Sequence, residues 1–323
     1  MKDARSSPVG GRASCSLRVG ALLSLAGILA ACHGHGMIQQ ADLAFDPPIP
    51  SPAYAVGMGP RVLIDEAHFN FHTAEGRYAP FAKLLRRDGY VVESLNEAAS
   101  AKSLAGANIL VIANAIAESD QKGWKLPLEP AFADSEVRAI HQWVETGGSL
   151  LLVADHMPFP GSVQSLAAAF DVLFGNGFLY DVEGESMLTF ERGSGLADHP
   201  ITDGRSAGES VTFVRTFTGQ AFRIEREHEP LLTLPRGSTL KLPSEAWVFK
   251  PTTPEIPAAG MLQGATLQIG RGRVAVFGEA AMFSAQEILH DDGRFLMGMN
   301  RDDATQNPQF LLNVMHWLSG LIG

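Results

Sequence analysis

Residues 147–156 read Gly147-Gly-Ser-Leu-Leu-Leu-Val-Ala-Asp-His156: two glycines, an apolar run from Leu150 to Ala154, then an acid and an imidazole. A strand sends successive side chains to opposite faces, so an unbroken apolar run needs cover on both. That is the signature of a parallel strand between two helical layers. Just before it, Asp134 is placed to cap a helix carrying Val137, Ile140, Trp143 and Val144, which Gly147 and Gly148 end.

Working outward, the same rhythm repeats. Arg61–Asp65 and Ile109–Ala113 are further apolar runs, and Tyr90–Ser94 reads as a strand between them. Tyr78–Asp88 has Phe81, Leu84 and Leu85 at helical spacing and stops at Gly89; Ser162–Phe170 also reads as helix. From about Met187 to Pro251 the pattern changes to short Thr- and aromatic-bearing segments separated by Gly or Pro, an antiparallel signature. Gly270-Arg-Gly272 then turns into the apolar run Val274–Phe277, and Asn307 with Pro308 opens a last helix to Leu318. The expected fold class is α/β: a doubly wound, mostly parallel sheet over residues 60–323, with an antiparallel β-rich insertion at about 187–251.

The N-terminus reads as an export signal. Lys2, Arg5, Arg12 and Arg18 precede an apolar run, Ala21–Ala31, about half the length a membrane-spanning helix needs. It ends in Leu29-Ala30-Ala31-Cys32, which resembles the lipobox of bacterial lipoproteins, so residues 1–31 are expected to be a signal peptide and Cys32 the acylated N-terminus. Of the two cysteines, Cys15 lies in the removed part. The mature chain then has neither an intramolecular disulfide nor a free thiol nucleophile. Residues 32–59, rich in Pro and Gly, read as the lipidated cysteine and a flexible tether to a bilayer. His33, rather than Asp, follows Cys32, which points to an outer-membrane anchor facing the periplasm where the organism has that membrane.

Processing lowers Lys plus Arg from 25 to 21 and Asp plus Glu from 35 to 34, so net charge goes from −10 to −13. An acidic chain with no cationic block is a poor partner for nucleic acid.

In doubly wound sheets ligands bind beyond the carboxyl ends of the strands. Three strands are followed there by ionisable residues: Asp65, Glu66 and His68 with His72 nearby; Asp155 and His156; and Glu279 after Gly278. Asp155, His156 and Glu279 are the catalytic candidates, and Asp65, Glu66, His68 and His72 the ligand-binding ones. Carboxylates and imidazoles together suit a divalent metal or acid–base chemistry. Each also has a plainer role: hydrogen bonds that fix a loop for the first two groups, a helix cap for Glu279. Asp198-His-Pro-Ile201 reads as a turn. The chain has no Gly-x-Ser-x-Gly elbow, no Walker motif and no complete dinucleotide fingerprint.

Val62-Leu-Ile-Asp-Glu-Ala-His-Phe-Asn-Phe-His-Thr73 and Glu75-Gly-Arg-Tyr-x-Pro-Phe81 resemble uncharacterised bacterial proteins with a class I glutamine amidotransferase-like domain, related to the GldG-like domains of gliding-motility transporters. The resemblance continues through residues 147–156, Asp198–Ile201, Thr216-Phe-Thr-Gly-Gln220, Val276–Glu279 and Asn307–Leu318. It implies a flavodoxin-like sheet. True amidotransferases carry a cysteine at the turn after a central strand; the comparable turn is Ala154-Asp155-His156, so glutaminase chemistry is excluded. Where related domains read Gly-Asp-Ser after the last strand, this chain reads Gly278-Glu279-Ala280. Two functions remain open: a lipoprotein that binds a small ligand or envelope component or acts as a scaffold, and a hydrolase, with or without a divalent metal, acting on envelope or imported substrates.

Overall fold

The computed structural model describes residues 38–290 and 293–323. The expected signal peptide, residues 1–31, and Cys32 lie outside the described residues. Strand β1 (Ile38–Ala41) is followed by β2 (Arg61–Asp65), helix α1 (Ala79–Arg87), β3 (Val91–Leu95), β4 (Ile109–Ala113), α2 (Asp134–Glu145) and β5 (Ser149–Val153). Two short helices, α3 (Phe159–Ser162) and α4 (Gln164–Ala168), lead into strands β6 (Val172–Phe174), β7 (Phe178–Tyr180), β8 (Thr189–Arg192) and β9 (Gly195–Leu196). After α5 (Pro200–Asp203) come β10 (Phe213–Arg215), β11 (Phe222–Ile224), β12 (Glu229–Thr233), β13 (Thr239–Lys241) and β14 (Glu255–Pro257). The chain closes with β15 (Leu262–Ile269), β16 (Gly272–Phe277), β17 (Ala285–His290), β18 (Gly293–Gly298) and α6 (Asn307–Leu318).

The parallel half is ordered β16-β5-β4-β2-β3. Its apolar runs divide between the two faces with period two. Val62, Ile64, Leu151, Val153, Ala275 and Phe277 face one core with side chains of α1 and α6. Leu63, Leu110, Ile112, Leu150, Leu152 and Val276 face the other, with Ile140 and Val144 of α2. Gly147, at φ 117, follows the Thr146 C-cap of α2 and supplies the left-handed residue that turns the chain into β5.

The expectation of a mostly parallel sheet is corrected. On the far side of β16 the strands β15, β12, β9, β8 and β10 continue the same sheet, mainly antiparallel, so the sheet is large and mixed. Within the segment 187–251, β8 to β12 extend the sheet's edge or pair with its strands, and β13 joins β7 and β14 in a small sheet of its own. The cause is the tight turn at Gly270-Arg271, which makes β15 and β16 a hairpin with Ile269 opposite Gly272. A hairpin cannot continue a parallel order.

Residues 38–59 also differ from the tether read in the sequence. β1 pairs antiparallel with β17, Ile38 opposite Leu289 and Ala41 opposite Gln286. Phe45, Ile49 and Tyr54 then pack against the core, and Arg87 holds Asp46 at 2.8 Å. The pairing is carried by backbone hydrogen bonds, which leave no hydrophobic periodicity in Ile-Gln-Gln-Ala to read. Among the described residues no helix is long and apolar enough to cross a membrane.

Candidate functional site

A cavity of about 490 Å³ opens over the carboxyl ends of β2, β4, β5 and β16. Parallel pairing sets its floor. Val153 lies opposite both Ala113 and Phe277, so the residues that leave β4, β5 and β16 emerge side by side. They are Asn114, Asp155 and Glu279, and all three line the cavity.

Each is fixed by the backbone. The Asp155 N–H donates to Asn114 Oδ1 at 2.9 Å, and Asp155 Oδ1 accepts the His156 N–H at 2.7 Å. Glu279 Oε1 accepts the Ala281 N–H at 2.7 Å and Oε2 the Met282 N–H at 2.8 Å. Glu279 is fully buried, and burial together with the charge of Asp155 holds its carboxyl well above the usual glutamate range. Burial likewise raises Asp155, against the opposing pull of His156 and of its hydrogen-bond donors. The floor thus carries two carboxyls that both resist ionisation.

Close approach of the Thr216–Gln220 segment completes the floor. Gly219 has φ 129, and a Cβ there would lie 2.3 Å from the Gly278 oxygen and 3.0 Å from Glu279 Cγ. Only glycine lets this turn rest on the Gly278-Glu279 corner. The Gln220 N–H donates to the Gly278 oxygen at 2.9 Å, and its side-chain amide reaches the Ala154 oxygen at 3.2 Å. Thr218 lines the cavity beside them.

His72 is buried in the wall, its ring 4.6 Å from that of Tyr78, and neither ring nitrogen has a hydrogen-bond partner. Burial, helped by the charges of Arg77 and His156, pushes its titration well below the usual value, so it stands neutral with polar atoms unsatisfied. Such a group is expensive unless something else completes it. His156 donates from Nδ1 to the Met157 oxygen at 2.6 Å and stacks on Phe178 at 4.8 Å. Trp124 and Trp247 come from loops tied together by Ala246 N–H to the Trp124 oxygen at 2.8 Å. Two cavity residues, Asn114 (φ 55) and Trp247 (φ 67), hold left-handed backbone, the strain expected where geometry serves a site.

Of the candidates read in the sequence, His72, Asp155, His156 and Glu279 meet at this cavity. Asp65, Glu66 and His68 do not. His68 Nδ1 is 2.9 Å from both carboxylate oxygens of Asp65, and Nε2 is 3.0 Å from Glu136 Oε1. Burial opposes the charge on His68, but the two carboxylates outweigh it and raise its titration. Glu66 accepts the Ala74 N–H and the Ser94 hydroxyl, both at 2.8 Å, and so fixes the loop after β2. His199 caps α5 through the Ile201 N–H, in keeping with a turn at residues 198–201. Among the described residues no group of three or more His, Cys, Asp or Glu is arranged to hold a metal ion. Asn114, Thr218, Trp124 and Trp247 were missed: Asn114 and Trp124 lie ten residues apart in the β4–α2 connection, Thr218 and Trp247 come from two other loops, and no spacing links them. The one available signal was Thr216–Gln220, quoted for its resemblance but given no role.

No protein-family model and no curated protein matches the sequence. Among solved structures, the N-terminal domain of mmIFT52 is similar with a TM-score of 0.55 at 14% identity, covering 80% of this chain and 97% of that one. At that identity the likeness shows the fold alone. A cytoplasmic protein from Salmonella typhimurium (TM-score 0.44, 11% identity, 80% and 98% coverage) and a ThuA-like protein from Bacteroides uniformis (0.44, 13%, 84% and 95%) are also similar. Neither carries a conclusion about this chain.

Proposed function

We propose that the chain is an extracytoplasmic lipoprotein, anchored by acylated Cys32, whose α/β domain binds a small molecule in the cavity over β2, β4, β5 and β16. The observation that carries the binding reading is the convergence on one cavity of Asp155, Glu279 and the unpartnered imidazole of His72. A concave site with aromatic walls and a few fixed polar groups is the ordinary form of a small-ligand pocket. We read the parallel half, β16-β5-β4-β2-β3 with helices on both faces, as flavodoxin-like and class I glutamine amidotransferase-like, akin to GldG-like domains. It works without a thiol, because Cys32 is the only cysteine after residue 31. The anchoring reading rests on the sequence of residues 1–32, and the outer membrane facing the periplasm is the site we infer.

A second reading, hydrolysis by acid–base chemistry, is favoured by the two carboxyls themselves. Neighbouring buried carboxyls that both resist ionisation can divide the roles of proton donor and acceptor. A thermal-shift screen separates the two readings. The chain lacking residues 1–32 is melted with small-molecule fractions of cell envelope and with divalent metals, beside Asp155→Asn and Glu279→Gln. Ligand binding predicts a shift in the wild type that both variants lose, with no consumption of the compound. Consumption that Glu279→Gln abolishes establishes the hydrolase instead.

A further inference from the structure

A belt of ring contacts runs along one wall of the cavity. Phe71 meets Trp124 at 5.7 Å and Phe159 at 5.4 Å, and Trp124 and Phe159 reach His156 at 6.2 and 5.9 Å. His156 meets Trp247 at 4.7 Å, Trp247 meets Phe178 at 4.5 Å, and Phe178 reaches Phe249 at 5.2 Å. Both ends break the surface. Phe71 is 38% and Phe249 36% exposed, and Phe69, Leu126 and Val248 beside them are exposed further. Trp247, which lines the cavity, sits on left-handed backbone at φ 67, so its ring is held there against local preference.

Lysine placement adds to the same face. Six lysines follow residue 31: Lys83, Lys102, Lys122, Lys125, Lys241 and Lys250. Four of them belong to this region, interspersed with the exposed Glu118, Glu129, Glu245 and Glu255. Lys122 and Lys125 flank Trp124, Lys250 follows Phe249, and Lys241 lies 4.6 Å over the ring of Tyr180, which contacts Phe249. Exposed aromatic rings with lysines among them are the composition of a membrane-interface surface: rings enter the headgroup layer and ammonium groups meet lipid phosphate.

The chain's course supplies the position. Gln39 of β1 lines the cavity, so the chain at Ile38 enters the described fold beside it. The six residues from Cys32 to Ile38 span at most about 21 Å however they run. A domain of this length is roughly 50 Å across, so a lipid at Cys32 cannot reach round to the opposite face.

We propose that the mouth of the cavity is a membrane-docking surface, its exposed aromatics seated in the headgroup layer of the leaflet to which Cys32 is fixed, so that ligand enters from the bilayer surface. This rests on the reading of Cys32 as acylated.

The test uses the mature lipidated protein in phosphatidylcholine–phosphatidylglycerol vesicles whose acyl chains are brominated. Tryptophan quenching then reports depth, with Trp143 and Trp317 on α2 and α6 as internal references. The expected result is quenching that falls by roughly half or more in Trp124→Phe/Trp247→Phe, and that weakens in Val248→Asp, an exposed position where folding is not at stake. Vesicle-bound, acylated protein whose quenching these variants leave unchanged overturns the docking. Mass spectrometry of the mature chain, read first, distinguishes the other failure: no acyl mass on Cys32 overturns the anchoring.

Discussion

Asp155 and Glu279 occupy equivalent positions on neighbouring strands, each two residues beyond a member of the Val153–Phe277 pair. The parallel register that buries β5 and β16 therefore also drives two carboxyls into one corner. Burial and mutual repulsion raise Glu279 well above its ordinary range, and Asp155 is raised by burial. The site follows from the sheet, not from a separate device.

That relationship sets a pH dependence. A carboxyl whose native titration is raised holds a proton that the unfolded chain has released. Its stabilising contribution is full below the ordinary value of about 4.5 and is lost as pH rises through the raised native one. The thermal midpoint is expected to fall from acid toward neutral pH, and Glu279→Gln is expected to flatten that slope. Melting curves from pH 4 to 8 check it; parallel slopes would count against the raised carboxyl.

Gly219→Ala is expected to damage the site and the fold together. Its Cβ meets backbone oxygen at 2.3 Å on a φ of 129, so the Thr218 turn must withdraw from Glu279. A cost of about 1–3 kcal/mol is expected, read by denaturant melts, with loss of any ligand shift in variants that still fold.

The buried triad Asp65–His68–Glu136 is predicted to be structural. Glu136 also accepts the Ala99 and Ala133 N–H groups, so Glu136→Gln leaves donors facing donors. The expected loss is about 2–4 kcal/mol in stability, with ligand affinity unchanged. Isothermal titration beside chemical denaturation checks both halves.

Asp88 ties the N-terminal segment to the last helix, accepting the Ala53 N–H at 2.7 Å and facing His316 Nε2 at 2.7 Å with both side chains fully buried. Asp88→Ala is expected to cost about 3–5 kcal/mol. Hydrogen exchange should then rise at residues 51–54 before it rises in β5; simultaneous release would show that this segment is not separately docked.

Much of the fold was legible because the strands of the parallel half are buried on both faces and so are written as apolar runs. The carboxyl pair was legible for the same reason, since an acid directly after such a run must lie at its carboxyl end. The same signal misplaced Asp65 and His68. Sequence shows that an acid follows β2, but not that Glu136, carried on a helix 68 residues from His68, turns that imidazole away from the cavity. β1 was unreadable because its four residues gain their place from backbone pairing with β17. Trp124 and Trp247 were unreadable because their loops meet only when folded.

The central claim is that the Asp155–Glu279 cavity binds a small molecule, and the thermal-shift screen with envelope fractions tests it most directly. The account predicts a compound that raises the wild-type midpoint and leaves Asp155→Asn and Glu279→Gln unmoved. Compounds that shift all three proteins equally, or an envelope fraction that shifts none, would contradict it.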